Sequence, residues 1–350
     1  MIIQSSVERK LRIKKYLHIL ESSQVVDFIK TLYEGIQLPS ANFFDVFLES
    51  IHNTNAEAEL LSLLSEKLNV PESAARQLLD KLLEMGILEY AGKEIPLPLN
   101  RYHRQLLLYD AVQPKKKFDE NFQHQEKLRQ THILIMGIGG IGNFMATSLV
   151  ASGVGKITLV DFDTVEQSNL NRQILFSECD LGKNKVDVAA KRLKEMNSSC
   201  DIVAMQRGVS SQRGLEILLE ECKDVNYVVL SADRPVDLVL WASALCKKYL
   251  FKYIKCGYMA YQGLIGPLLG YHTKPYEEIF LSWANSIRSQ KELIQEHNEN
   301  HIAPSMAPTN AILANIAVWE LVKDITGIAP SALTEKRILF NLKTMEMIYG

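Results

Sequence analysis

The strongest chemical signal is the run Ile133-Leu134-Ile135-Met136-Gly137-Ile138-Gly139-Gly140-Ile141-Gly142, an apolar segment of strand length that leads into a glycine-rich turn and then a helix. A turn of this kind offers backbone N–H groups to phosphate, and the helix start behind it adds unpaired donors and a positive dipole end. In that reading Gly137 permits the tight turn, Gly139 beside Gly140 lets the backbone approach a ligand, and Gly142 lets the helix pack closely. Asp161 follows Gly142 by nineteen residues, at the end of the next apolar run, where a carboxylate bonds a ribose hydroxyl. Nothing in this segment separates a dinucleotide from ATP.

The residues beyond Asp161 are unlike those of a dehydrogenase. Asp161-Phe162-Asp163-Thr164-Val165-Glu166-Gln167-Ser168-Asn169-Leu170-Asn171-Arg172-Gln173 puts a polar, cationic loop beside the phosphates, and Gly182-Lys183-Asn184-Lys185-Val186 opens a later helix. Arg172 and Lys185 have the charge to neutralise a triphosphate. Ser231-Ala232-Asp233-Arg234-Pro235 closes another strand at the carboxyl edge of the sheet, where open parallel sheets bind their ligands, and Asp233 suits a magnesium ion. Each residue also has a plainer use. Arg172 and Lys185 would cap helices or pair with local acids, and Asp233 would cap a helix beginning at Pro235.

The elements that must hold these residues follow a strand, turn, helix grammar from about residue 131 to the end, which predicts an α/β domain with a parallel sheet. His132–Met136, Lys156–Val160 and Asn226–Leu230 read as strands buried on both faces. Ile254–Gly270 is rich in glycine and aromatics, and about 271–307 reads as a crossover loop over the site, with His301 an exposed loop residue. A helix from about Thr309 to Gly327 and a terminal hairpin within Arg337–Tyr349 complete the domain. Residues 1–95 show helical periodicity at Leu60, Leu61, Leu64, Leu68 and at Leu78, Leu79, Leu82, Leu83, with a cap-and-start signal at Asn69-Val70-Pro71-Glu72 between them and a stop at Gly86. That is the pattern of a small α+β domain of winged-helix type. His18–Leu20 and Gln24–Asp27 suit a hairpin, with a helix as the rival. Ile95-Pro96-Leu97-Pro98-Leu99 reads as an extended linker, and residues 96–130 as that linker followed by an arginine-bearing helix.

Bulk properties exclude several classes of function. With 47% apolar and 23% charged residues and a net charge of -2, the 350 residues offer no global attraction to nucleic acid or membrane. No apolar run reaches the roughly 18 residues of a membrane span, and Met1–Tyr16 lacks a signal peptide's apolar stretch, so a cytoplasmic location is expected. Five cysteines without a CxxC pair form neither a disulfide framework nor a zinc knuckle.

Taken together, Gly-x-Gly-Gly-x-Gly, Asp-Phe-Asp-Thr-Val, Ser-Asn-Leu-x-Arg-Gln, the lysine of Gly-Lys-Asn-Lys-Val and the later Asp233 resemble the ubiquitin-activating, E1-like superfamily, which includes the activators of molybdopterin and thiamine sulfur carriers. The resemblance spans about residues 101–350 and implies ATP-dependent adenylation of a carboxylate on a Rossmann-type domain. It implies that Asp161 binds ribose, that Asp163 belongs to the nucleotide site, that Asn169, Arg172, Gln173 and Lys185 hold the triphosphate, and that Asp233 binds Mg2+. Arg101-Tyr102-His103-Arg104-Gln105 is similar to the family's Arg-Tyr-x-Arg-Gln segment, implying a homodimer in which Arg104 acts in trans. There are departures too. The zinc cysteines of many sulfur-carrier activators are missing, no cysteine follows Cys256 to carry a thioester, and Arg234 stands where the family usually has asparagine.

Residues 1–100 hold 10 Lys/Arg against 14 Asp/Glu, a net -4, which disfavours a DNA-reading winged helix. Residues from about 16 to 90 are similar to the winged-helix modules that capture precursor peptides by extending a small sheet. An E1-like core joined to such a module resembles the family of adenylating enzymes that mature the microcin C peptide. That resemblance implies a short peptide ending in asparagine, a succinimide, and a second ATP leaving AMP on nitrogen. Adenylation of a small ubiquitin-like sulfur carrier is the alternative.

Overall fold

The structure is a computed structural model and describes residues 9–21, 25–31, 34–39, 42–53, 56–91, 94–115, 117–289 and 304–350. Its elements form two units, residues 1–125 and 126–350.

In the second unit the short apolar runs become the centre of an eight-stranded sheet: β6 (His132–Met136), β7 (Lys156–Val160), β8 (Asp201–Met205), β9 (Tyr227–Leu230), β10 (Lys252–Met259), β11 (Gln262–Gly270), β12 (Ile338–Asn341) and β13 (Glu346–Tyr349), in the order β13-β12-β11-β10-β9-β6-β7-β8. All of β6 and β9 is buried, as the continuous apolar runs require of strands covered on both faces. The strands from β8 to β10 run parallel, and β11 to β13 continue antiparallel.

The chain moves outward from β6 through β7 and β8, then returns to place β9 on the other side of β6. That reversal makes β6/β9 a switch point, where the following loops diverge and leave a crevice. Register aligns the opening: Met136 lies opposite both Val160 and Leu230, so the turns starting at Gly137, Asp161 and Ser231 emerge at one edge. The helices of this unit are α7 (Gly140–Ser152), α8 (Lys185–Met196), α9 (Gln212–Cys222), α10 (Leu238–Tyr249), α11 (Tyr276–Ile279), α12 (Leu281–Arg288) and α13 (Ala307–Thr326). Helix α13 packs on α7, while α9 and α10 share the core cluster that contains Leu218, Leu230, Leu245 and Tyr253.

Three expectations change here. Ile254–Gly270 is most of a long antiparallel pair whose glycines hide the strand pattern; a Cβ at Gly263 would lie 2.2 Å from the Leu313 side chain, so the close seat of α13 demands glycine there. The stretch after Gly270 is not all loop, because it contains α11 and α12; His301 and residues 290–303 lie outside the described residues. The terminal helix starts at Ala307, with Pro308 in its first turn, and ends on Gly327 at φ 73°.

The first unit contains β1 (Leu11–Ile13), β2 (His18–Glu21), β3 (Val25–Ile29), β4 (Gly35–Pro39) and β5 (Leu88–Tyr90), with helices α1 (Asn42–Asn53), α2 (Glu57–Leu68) and α3 (Glu72–Glu84). The hairpin reading of residues 18–29 holds, and β4 extends it to three strands, while β1 pairs with β5. Asn69 in the left-handed region closes α2, as its sequence signal required. Leu60, Leu61, Leu64, Leu79 and Leu82 join Phe28, Phe44 and Phe47 in one core.

The expected extended linker is partly helical: α4 (Leu97–Asn100) follows Pro96 and places Pro98 in a first turn, where a missing N–H costs nothing. Helix α5 (His103–Val112) belongs to this unit, and α6 (Phe122–Arg129) follows it along the chain. Lys14, fully enclosed, donates to Asp110 Oδ2 at 2.5 Å and to the Lys115 carbonyl at 3.0 Å, with Glu89 at 3.6 Å, which fastens β1 to α5. Burying that amine without its carboxylates would cost several kcal/mol, so removing either partner weakens this unit.

Candidate nucleotide site at the carboxyl edge

The glycine turn is built with almost no spare room. Gly137 has φ 92°, and a Cβ there would lie 2.7 Å from the Ala232 nitrogen; at Gly142 a Cβ would lie 1.9 Å from the Gly137 carbonyl oxygen. At Gly140 it would meet Asn310 Nδ2 at 2.1 Å. Gly139 differs, because nothing lies within 4 Å of its absent side chain. Gly137 and Gly142 are demanded by neighbouring backbone, Gly140 by the present seat of the Asn310 side chain, and Gly139 leaves space beside the turn.

Asp161 holds this turn from the neighbouring strand. Its Oδ2 accepts the Ile138 N–H at 2.6 Å and its Oδ1 accepts the Asp163 N–H at 2.9 Å. From the other side, Ser231 Oγ donates to the carbonyls of Gly137 at 2.9 Å and Met136 at 3.1 Å. The ends of β6, β7 and β9 are therefore joined by side chains at the level where the crevice opens.

The loop after β7 is held largely by its own hydrogen bonds. Asn169 is buried and accepts the Glu166 N–H at 3.1 Å; Gln173 is buried with its Oε1 unpartnered among the described residues. Arg172 donates from Nη1 to the Ser168 carbonyl at 2.6 Å and to Asn171 Oδ1 at 2.9 Å. Lys185, at the first position of α8, donates to Asp163 Oδ2 at 2.8 Å with its side chain 6% exposed. Both cations thus have the local partners of the plainer reading, and the Arg172 side chain passes beside the glycine turn, its Cδ 3.6 Å from where a Gly140 Cβ would be.

Asp233 lies on the same edge, exposed, three residues beyond the end of β9. The capping reading does not hold, since α10 begins at Leu238 and Asp237 occupies the position before it. Among the described residues no group of three or more His, Cys, Asp or Glu could hold a metal ion. A single exposed carboxylate nonetheless fits magnesium, which is commonly held by one or two carboxylates together with substrate phosphates. Arg104 is exposed on α5 and has no hydrogen bond or ion pair among the described residues; it belongs to the first unit. The second unit alone therefore brings together every other residue expected at the site.

Three polar residues at this edge escaped the motif reading. Asn143 on α7 accepts the Leu175 N–H at 2.7 Å, pinning the loop after β7. Asn310 on α13 is fully buried against Gly140, with neither amide atom partnered among the described residues. Lys255 stands in β10, between Ile254 and Cys256. The available signal was a polar residue inside an otherwise apolar helix or strand. Cys256 itself faces inward: its Sγ lies 3.7 Å from the Leu313 carbonyl, and burial pushes its thiol up to about 12, leaving it protonated at neutral pH.

A family model, described as the ThiF family, matches residues 102–349. The chain belongs to the ThiF family. The sulfur carrier protein adenylyltransferase of Thermus thermophilus is 37% identical over 145 residues, covering 41% of this chain and 45% of that protein. The adenylyltransferase and sulfurtransferase MOCS3 of Drosophila persimilis is 38% identical over 160 residues, 43% of this chain and 30% of that one. The chain thus spans less than half the length of either curated relative. Over nearly its whole length it has the fold of E. coli MccB, solved with ATP, at TM-score 0.77 and 23% identity, covering 97% of this chain and 96% of that one. PaaA shares the fold at TM-score 0.75 and 22% identity, covering 96% and 98%. No helix among the described residues is long and apolar enough to cross a membrane.

Proposed function

We propose that this protein adenylates the C-terminal carboxylate of a peptide with MgATP. The observation that carries the reading is the single-edge convergence of the glycine turn, Asp161, the Arg172 and Lys185 cations and Asp233 around the β6/β9 crevice, in a chain of the ThiF family. ATP lies with its ribose at Asp161 and its phosphates along the glycine turn. Asn169, Arg172, Gln173 and Lys185 hold the triphosphate, which requires Arg172 and Lys185 to exchange local partners for phosphate oxygens. Asp233 would hold Mg2+, which would supply positive charge beside the pyrophosphate leaving group. A carboxylate oxygen attacks the α-phosphorus, the α–β phosphoanhydride bond breaks, and pyrophosphate leaves with the electron pair. Positioning and charge suffice, because the nucleophile is already ionised at neutral pH.

The substrate is a short peptide ending in asparagine, and the product a peptide joined to AMP through nitrogen, formed through a succinimide with a second ATP. Support comes from the fold shared over 97% of the chain with MccB, which has been solved with ATP, with a succinimide and with N-formylated MccA. Residues 1–95 capture the peptide, residues 96–130 carry Arg104, and two copies form a homodimer in which Arg104 completes the partner's site. Mass spectrometry of peptide, enzyme and MgATP tests the chemistry, because an acyl adenylate and an N–P linked nucleotide differ in mass and acid stability. Inactive Arg104→Ala and Asp233→Ala subunits, mixed under exchange, test the trans arginine through recovery of activity in demonstrated heterodimers. Retention of ATP binding with weakened peptide binding after deletion of residues 1–95 tests the capture module.

Adenylation of a small ubiquitin-like sulfur carrier is the second reading, favoured by the 37% identity to a sulfur carrier protein adenylyltransferase. An adenylate formed on a carrier ending in diglycine, with none on the peptide, would select it.

A further inference from the structure

Cations enclosed in this protein normally sit on a carboxylate. Lys14 lies on Asp110 and Glu89, and Lys185 on Asp163. Lys255 departs from that pattern: it is half-buried in the central sheet and makes no hydrogen bond or ion pair among the described residues. Burial lowers its pKa and the nearby charge of Asp233 acts in the opposite sense but more weakly, so the ammonium is partly stripped of water with only partial compensation. Partial burial of an ammonium is unfavourable, and an anion that arrives from outside relieves it.

The sheet shows where that anion would lie. Lys255 pairs in register with Leu230, the last residue of β9, so it stands at the carboxyl edge one strand beyond the Ser231–Asp233 loop. Two residues earlier Tyr253 enters the core shared with α10, so Lys255 faces that same side of the sheet, toward the loop that carries Asp233. The ladder with β11 is interrupted at this point: Ile254 pairs with Leu268 and Cys256 with Ile265, leaving Gly266-Pro267 unpaired opposite Lys255. The extra residue belongs to β11, so β10 keeps the alternation that sets the side of Lys255, while β11 leaves its ladder beside it. Across the edge, then, the order is Asp161 after β7, the glycine turn after β6, Asp233 after β9 and Lys255 on β10. Ribose, phosphates and magnesium account for the first three.

We infer that Lys255 is the substrate-positioning cation of the acyl side, binding the peptide's terminal carboxylate and holding one oxygen toward the α-phosphorus beside Asp233. The inference rests on the carboxylate-adenylation reading above and adds the residue that recognises the nucleophile. A charge-assisted hydrogen bond to a carboxylate both orients it and distinguishes it from an uncharged amide of the same shape.

The test uses the full chain, MgATP and MccA as probe peptide, as the free acid and as the C-terminal carboxamide. Wild type, Lys255→Met, Lys255→Gln and Lys255→Arg are compared by pyrophosphate release, and by the affinity of each peptide form in the presence of AMPCPP. The expected result for the two neutral variants is a fall of about thirtyfold or more in kcat/KM for MccA, with the KM for ATP within about threefold of wild type. Lys255→Arg recovers most of the loss. Wild type binds the acid at least about tenfold more tightly than the carboxamide, and the neutral variants bind both alike. Unchanged kcat/KM, or an equal weakening of both peptide forms, would overturn the role of Lys255 while leaving adenylation intact. Absence of MccA-dependent pyrophosphate release from wild type would instead remove the peptide-adenylation reading, and this inference with it.

Discussion

The two halves of the crevice are built on opposite principles. Around β6 and β7 the protein's own groups close the structure: Asp161 bonds two backbone N–H groups, Lys185 sits on Asp163, and side chains at Gly137, Gly140 or Gly142 would collide with Ala232, Asn310 or the Gly137 carbonyl. Around β9 and β10 the polar side chains are less enclosed: Asp233 is exposed, and the half-buried Lys255 side chain makes no hydrogen bond or ion pair among the described residues. A preformed half suits a ligand that never changes, such as a nucleotide. An open half suits one whose identity differs between members of a family, since its groups are completed only when the substrate arrives.

The comparison is broken most severely within the glycine turn. Gly142→Val should abolish ATP binding and lower the melting temperature of the folded chain by well over about 5 °C, because the new Cβ meets backbone that cannot move. Gly139→Ala should leave the melting temperature within about 1 °C, since its side chain enters open space, yet weaken ATP about tenfold by occupying the ligand's approach. Calorimetry and thermal melting of the pair separate packing from binding. Equal melting temperatures for both variants would show that the turn is not self-closed.

On the open half, Asp233→Asn should reduce peptide-dependent pyrophosphate release by about a hundredfold while the fold and ATP affinity change little, because the exposed side chain lies outside the packed core. Near-normal release would take Asp233 out of the chemistry. An intermediate effect is expected at the ion pair of the closed half: Lys185→Met should weaken ATP more than Asp163→Ala does. In the first variant the triphosphate loses a cation, whereas in the second the ammonium loses a partner that the triphosphate replaces. Titration of both with AMPCPP checks the order, and the reverse order would make their ion pair purely structural.

The same division governs which parts of the molecule are legible in the sequence. β6 and β7 can be read to the residue because both faces are buried, and the glycine turn because steric demand leaves few alternatives to glycine. β8 cannot, since its exposed and half-buried pattern at an outer strand lacks a continuous apolar run. β10 and β11 are obscured by Gly257, Gly263, Gly266 and Pro267, residues that weaken strand propensity; here Gly263 serves close packing against Leu313 and Gly266-Pro267 the break opposite Lys255. Asn310 and Lys255 belong to no local motif. Their meaning comes from which turn or strand they face, a long-range property set by the order of strands rather than by spacing along the chain.

The smallest expected effect lies at the opposite end of β6, where His132 supports the sheet without approaching the crevice. Its ring is buried, with Nε2 2.9 Å from Thr158 Oγ1 on β7 and Nδ1 3.2 Å from the Lys223 carbonyl beyond α9. Burial, then the charge of Lys156, lowers its pKa in the folded chain. The unfolded histidine titrates near about 6.5, so at pH 7.5 both states are largely neutral and the full contribution to stability is present. As the pH falls through about 6.5 the unfolded chain binds a proton that the folded chain resists, and stability is lost until the lower folded pKa is passed. His132→Gln keeps a polar group at this position without titrating, so the pH dependence of its stability should be shallower than that of wild type between pH 7.5 and 5. At about 2 to 4 °C of melting temperature per kcal/mol, the difference should amount to only a few degrees. The catalytic rate at pH 7.5 should be unchanged in the variant. Parallel stability profiles would assign the acid sensitivity to carboxylates elsewhere, while a lost rate at pH 7.5 would show that strain at the base of β6 reaches the glycine turn.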